Sequence, residues 1–141
     1  MKARTANATW KGDLPSGSGE VALGSGAYRD SYSFQSRFED GGGTNPEELI
    51  AAAEAGCFSM ALAHSLASAG FKPESVTTRA AVHLAKAGDG FEIPRIELEV
   101  EAKVPGIDEA TFQEHAAKTK VGCPVSKALA GPEITLSARL V

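Results

Sequence analysis

"NPEELIAAAEAGCFSMALAHSLASAG", residues 45–70, decides the fold. Asn45 suits a helix N-cap, because its side-chain oxygen can accept an N–H from the first turn. Pro46 follows at the first helical position, where a missing N–H costs nothing. Glu48 stands three residues after Asn45, the spacing of a capping box. Gly70 offers a terminator that takes positive φ without strain. These marks predict one helix from Pro46 to about Ala69, roughly 36 Å long at about 1.5 Å per residue. Its middle is Ala, Leu, Ile, Phe and Met on nearly every side. A helix apolar all round is a buried helix. Complete burial of so long a helix in so small a domain points to a partner subunit.

Upstream, residues 3–11, "ARTANATWK", alternate small or apolar with polar residues and read as a strand. "SGSGE" at 16–20 reads as a turn. Residues 19–38, "GEVALGSGAYRDSYSFQSRF", read as short strands broken by glycine turns. That places Arg37 on a strand end, just before the glycine-rich loop in "EDGGGTNPEE". Downstream, residues 75–87 read as a strand, "GDG" as a hairpin turn, and 91–104 as a second strand that alternates cleanly from Ile96 to Val100. Asp108 can cap a helix over "EATFQEHAAKTK", and "GCPVSKALAG" begins a short third one. "EITLSARLV" closes as a strand. The order predicts an α+β fold with a mostly antiparallel sheet, as a single domain over residues 1–141.

Composition narrows the function classes. At 43% hydrophobic and 23% charged, the chain can build a core without staples. Its 14 basic and 18 acidic residues are spread without a basic block, so a nucleic-acid footprint is not expected. Residues 49–63 are interrupted by Glu54 and fall short of a membrane span. The first residues lack the apolar centre of a signal peptide. A cytoplasmic protein with no membrane association is the expectation. There, two cysteines are more often free or redox-active than structural.

Those two cysteines are the chemical question. Cys57, in an Ala-rich helix, has the setting of a small buried hydrophobe. Cys123 precedes Pro124 and so belongs at a helix N-cap, where free N–H groups and the helix dipole favour a thiolate. Local physics therefore selects Cys123 as the more reactive. A metal is disfavoured. Cys57 and His64 share a helix face but lie about two turns apart, roughly 10 Å along the axis, whereas zinc holds ligands at about 2.3 Å. His83 and His115 add no ligand spacing, and read as ordinary polar histidines. The loop "GGGTNPEE" lacks the Lys-Ser/Thr pair of a P-loop, and Glu47 and Glu48 stand where an anion would bind, so no nucleotide is expected. Arg37 has two readings. It is a surface arginine paired with Glu39 or Asp40, or a cation brought over a buried thiol and held by a carboxylate.

"SRFEDGGGTNPEELIAAAEAGCFSMALAHSL" with the distant "GCPVSKAL" resembles the OsmC/Ohr family of thiol-dependent peroxidases, the OsmC branch in particular. The resemblance covers nearly the whole chain. It implies reduction of organic hydroperoxides, and of hydrogen peroxide less efficiently, without cofactor or metal. It implies that Cys57 is the peroxidatic thiolate and Cys123 the resolving cysteine, overruling the local preference for Cys123. It further implies that Arg37 activates the thiolate and that Glu47 orients Arg37, leaving Glu48 to cap the helix. A Cys57–Cys123 disulfide would form and be recycled by an external dithiol, with a lipoylated protein, thioredoxin and a small dithiol all open. Phe58 and Met60 would favour alkyl peroxides or serve as plain core. The implied fold is an intertwined homodimer, its sheets enclosing two long central helices. The alternative function is a redox-sensing or thiol-binding module that uses the same disulfide as a switch without turnover.

Overall fold

The computed structural model describes all 141 residues, Met1–Val141. They form two compact units, Met1–Leu49 and Ile50–Val141. Each contains a three-stranded sheet.

In the first unit, β1 (Ala6–Lys11), β2 (Ser18–Leu23) and β3 (Arg29–Tyr32) run in sequence order and pair antiparallel. The turn between β1 and β2 closes earlier than "SGSGE" suggests. The Asp13 carboxylate accepts the Ser16 N–H at 2.9 Å, and the Gly17 N–H reaches the Asp13 carbonyl. Ser18 is thereby free to open β2 opposite Lys11.

Arg37 lies on a short helix, α1 (Phe34–Phe38), rather than on a strand end. Ser33 and Ser36 cap each other. The Ser33 hydroxyl accepts the Ser36 N–H at 3.1 Å, and the Ser36 hydroxyl accepts the Ser33 N–H at 2.8 Å. The buried Ser36 hydroxyl also reaches the Thr44 carbonyl at 2.7 Å, and Asn45 Nδ2 donates to the Ser36 carbonyl at 3.0 Å. Between these points Gly43 holds φ +100, and a Cβ there would stand 2.6 Å from the Ser31 carbonyl oxygen. Only glycine fits that return.

The helix α2 (Pro46–Ser68) starts and stops where its punctuation predicts. Asn45 Oδ1 accepts the Glu48 N–H at 2.8 Å. The Glu48 carboxylate accepts the Thr44 hydroxyl at 2.9 Å, not the reciprocal cap bond. At the far end Gly70 takes φ +92, and the Phe71 N–H returns to the Leu66 carbonyl at 2.9 Å, closing the last turn.

In the second unit, β4 (Ser75–Ala87) pairs antiparallel with β5 (Gly90–Lys103). Next come α3 (Glu109–Gly122) and α4 (Pro124–Ala128), and β6 (Glu133–Leu140) returns parallel to β5. A parallel return needs a crossover of this length, and the two helices supply it. The molecule is thus α+β, its sheets antiparallel except at this one pairing. Ile96, Leu98, Val100 and Ala102 of β5 alternate onto one face, where they join Phe58, Leu62 and Leu66 of α2 and Phe112 and Ala116 of α3. The α2 residues recur every four positions, so a single stripe of the helix enters this core. The opposite stripe is open, with Gly56 exposed and Met60 77% exposed. Counted from Pro46 to Ser68, α2 is long and apolar enough to cross a membrane, unlike the shorter interrupted stretch 49–63, and 22% of its apolar window is buried within the chain.

Candidate active site

The site residues expected from sequence come together in two pairs. The first joins Arg37 and Glu47. Arg37 ends a helix fixed by its serine caps, and Glu47 opens α2 as its second residue. Arg37 Nη2 donates to Glu47 Oε1 at 2.8 Å, and Nε lies 3.3 and 3.2 Å from the two carboxylate oxygens. This is a two-pronged grip on one edge of a planar guanidinium, which fixes direction as well as distance. The guanidinium carbon also stands 5.3 Å from the centre of the Phe38 ring. The Glu47 side chain is 9% exposed and that of Arg37 34%, so the cation keeps an open side. Glu47, not Glu39 or Asp40, is the partner.

The second pair is Cys57 and Cys123. Their thiols are free, and the Cys123 thiol donates to the Cys57 sulfur with the two Sγ atoms 2.7 Å apart. Cys57 stands in the middle of α2 and is half-buried. Cys123 occupies the joint between α3 and α4 and is 1% exposed. Its N–H donates to the Thr119 carbonyl at 2.9 Å, and its carbonyl receives the Lys127 N–H at 3.0 Å. The N-cap position expected for it is real, yet its sulfur makes no capping bond. It points to Cys57 instead.

Burial pushes the Cys57 thiol above its ordinary range, and the neighbouring Cys123 thiol pushes it further. The Val125 N–H works the other way, and repulsion from Cys123 and Glu54 adds to the rise. These surroundings therefore disfavour the thiolate form of Cys57. No group of three or more His, Cys, Asp or Glu residues is gathered so as to hold a metal ion. His64 is exposed, His83 Nε2 lies 2.7 Å from Glu97 Oε2, and His115 Nδ1 lies 2.7 Å from the Ser65 hydroxyl. Phe58 is fully buried in the core, whereas Met60 is not.

Sequence reasoning missed one further contact in this region. Ser126 of α4 donates to Glu54, a wholly buried carboxylate one turn before Cys57. In the sequence Glu54 registers only as the single interruption of an apolar run. That interruption was the available signal.

Comparison with known proteins shows the family of the chain. Residues 39–137 match the family model described as OsmC-like protein. The chain is 51% identical over 134 residues to the peroxiredoxin OsmC of Escherichia coli strain K12, covering 94% of this chain and 93% of that protein. It is 36% identical over 99 residues to an organic hydroperoxide resistance protein of Xanthomonas axonopodis pv. citri, covering 69% of this chain and 68% of that one. Among solved structures, an organic hydroperoxide resistance protein OsmC from Legionella pneumophila superposes with a TM-score of 0.72 at 25% identity, over 99% of both chains. The chain belongs to the OsmC branch of the OsmC/Ohr family, a family of peroxidase enzymes.

Proposed function

We infer that the protein is a dithiol peroxidase that reduces organic hydroperoxides to alcohols, and hydrogen peroxide less efficiently. The observation that carries this reading is the contact between the free Cys57 and Cys123 sulfurs at 2.7 Å. Cys57 is the attacking residue, since it is the less buried of the two and so the more accessible to a peroxide. Its thiolate displaces alkoxide from the O–O bond. A proton converts the alkoxide to alcohol, and Cys57 is left as a sulfenic acid. Cys123 then attacks the Cys57 sulfur, the S–O bond breaks, and water leaves as the disulfide forms. An external dithiol, such as a lipoylated protein, restores both thiols by exchange. Arg37 is the cation that stabilises the Cys57 thiolate, and Glu47 aims it. Their two-pronged contact supports the role given to Glu47. The working form is a homodimer in the cytoplasm, where thiols stay reduced.

Steady-state turnover of cumene hydroperoxide with a dithiol tests the reading. Cys57→Ser should lose activity to background. Cys123→Ser should consume one equivalent of peroxide and then recycle poorly. Activity retained in Cys57→Ser would overturn the assignment. A wild-type protein that is oxidised once and never turns over would instead be a redox switch.

A further inference from the structure

Beside the two sulfurs runs a second contact that the peroxidase reading does not use. Glu54 lies one turn before Cys57 on α2, and Ser126 lies one turn after Cys123 on α4. The Ser126 hydroxyl donates to Glu54 Oε1. The two helices are therefore joined by two neighbouring side-chain rungs, one of sulfur and one of oxygen, and the Val125 N–H of α4 also acts on Cys57. Glu54 is 0% exposed and Ser126 4%. The other carboxylate oxygen, Oε2, is buried with no hydrogen-bond partner. As a tie between helices this is costly, since a buried carboxylate with an unpaired oxygen packs less favourably than an apolar pair would.

What the rung does hold is the one buried side chain of α4. That helix is only five residues long, and Ser126 is its one buried residue. The Cys123 backbone is tied to α3 through Thr119, but its sulfur caps nothing. Beside the sulfur contact and the Val125 N–H that acts on Cys57, the hydrogen bond at Ser126 ties the turn carrying Cys123 to the turn carrying Cys57.

We propose that Glu54 is a positioning residue for disulfide formation: through Ser126 it holds the first turn of α4 against α2, so that Cys123 meets Cys57 once Cys57 has been oxidised. This rests on the reading of Cys57 and Cys123 as the reacting pair. In the step it serves, the Cys123 sulfur bonds to the Cys57 sulfur and the S–O bond of the sulfenic acid breaks. The departing hydroxide leaves as water with the proton from Cys123. Glu54 and Ser126 exchange no electrons. The charge of Glu54 opposes the Cys57 thiolate, so removing that charge alone should not slow the first oxidation.

The test is a single turnover of the full chain, mixed rapidly with one equivalent of cumene hydroperoxide, quenched with acid and weighed intact. Ser126→Ala should slow disulfide formation about tenfold, the scale of a lost hydrogen bond to a charged group. The sulfenic acid should accumulate, with the first oxidation within about twofold of wild type. Glu54→Gln keeps an oxygen for Ser126, and should form the disulfide within about threefold of the wild-type rate without slowing the first oxidation. Three results would overturn the proposal. They are a wild-type rate of disulfide formation in Ser126→Ala, an equal slowing of both steps in that variant, or Glu54→Gln as slow as Ser126→Ala. A wild-type protein that forms no disulfide would overturn the peroxidase reading itself, a separate outcome.

Discussion

At the scale of single residues, the Cys57 thiol sits in surroundings that hold on to its proton. Burial is the first cause and the Cys123 thiol the second, both raising it above the ordinary thiol range. The sign matters for kinetics. A raised thiol has less thiolate at neutral pH, so attack on peroxide should quicken as pH rises until the group is ionised. Arg37 is the residue proposed to offset this. Arg37→Ala should slow the first oxidation at pH 7 by about tenfold or more, the scale of one lost neighbouring cation. In the same variant the midpoint of Cys57 alkylation against pH should move above that of wild type and above the free-cysteine value of about 8.5. Stopped-flow oxidation and iodoacetamide labelling across pH measure the two. An unchanged rate and midpoint would return Arg37 to a structural role. The sequence makes Cys123 the more reactive by its place before Pro124. In the fold that sulfur is 1% exposed and caps nothing, while Cys57 is the more open of the two. Position along the chain could not reveal this, because the sulfurs meet across 66 residues.

At the scale of elements, much of the fold is legible because the signals are local. Asn45, Pro46 and Gly70 mark α2 to within a residue, and Ile96 to Val100 mark the alternation of β5. Where the sequence misleads, the deciding contact is less ordinary or more distant. The helix α1 escapes notice because its cap uses serine at both ends of the reciprocal pair, whereas the familiar pattern ends in Glu or Gln. The parallel direction of β6 is set by its pairing with β5 after a two-helix crossover, and no periodicity encodes that. The Glu54–Ser126 rung spans 72 positions. Two substitutions test how the elements are held. Leu62→Ala, in the buried stripe of α2, should cost about 2–5 kcal/mol by leaving a cavity in the core. Ser36→Ala removes one half of the α1 cap and the buried bond to Thr44, and should cost about 1–2 kcal/mol. Urea unfolding, read as the shift in midpoint at constant slope, measures both. A cost below about 0.5 kcal/mol for Leu62→Ala, the scale of a surface change, would contradict the assigned core.

At the scale of the whole molecule, the open stripe of α2 carries the strongest expectation. Met60 is 77% exposed on a helix whose apolar window is only 22% buried by its own chain. The proposed homodimer would cover this exposed apolar surface. The protein should therefore sediment at twice 14.6 kDa, and Met60→Arg should shift it toward monomer. A Met60→Arg protein that stays dimeric would place the seam elsewhere. Membership of the OsmC branch gives the peroxidase class, and the meeting of the two cysteines gives its proposed mechanism. The most direct measurement is the mass of the intact protein after one equivalent of cumene hydroperoxide, followed by peptide mapping without reductant. The predicted result is the loss of two hydrogens, mapped to a Cys57–Cys123 disulfide that dithiol reverses through repeated cycles. An unchanged mass with both thiols free, or oxidation confined to Cys57 with Cys123 still titratable, would contradict it.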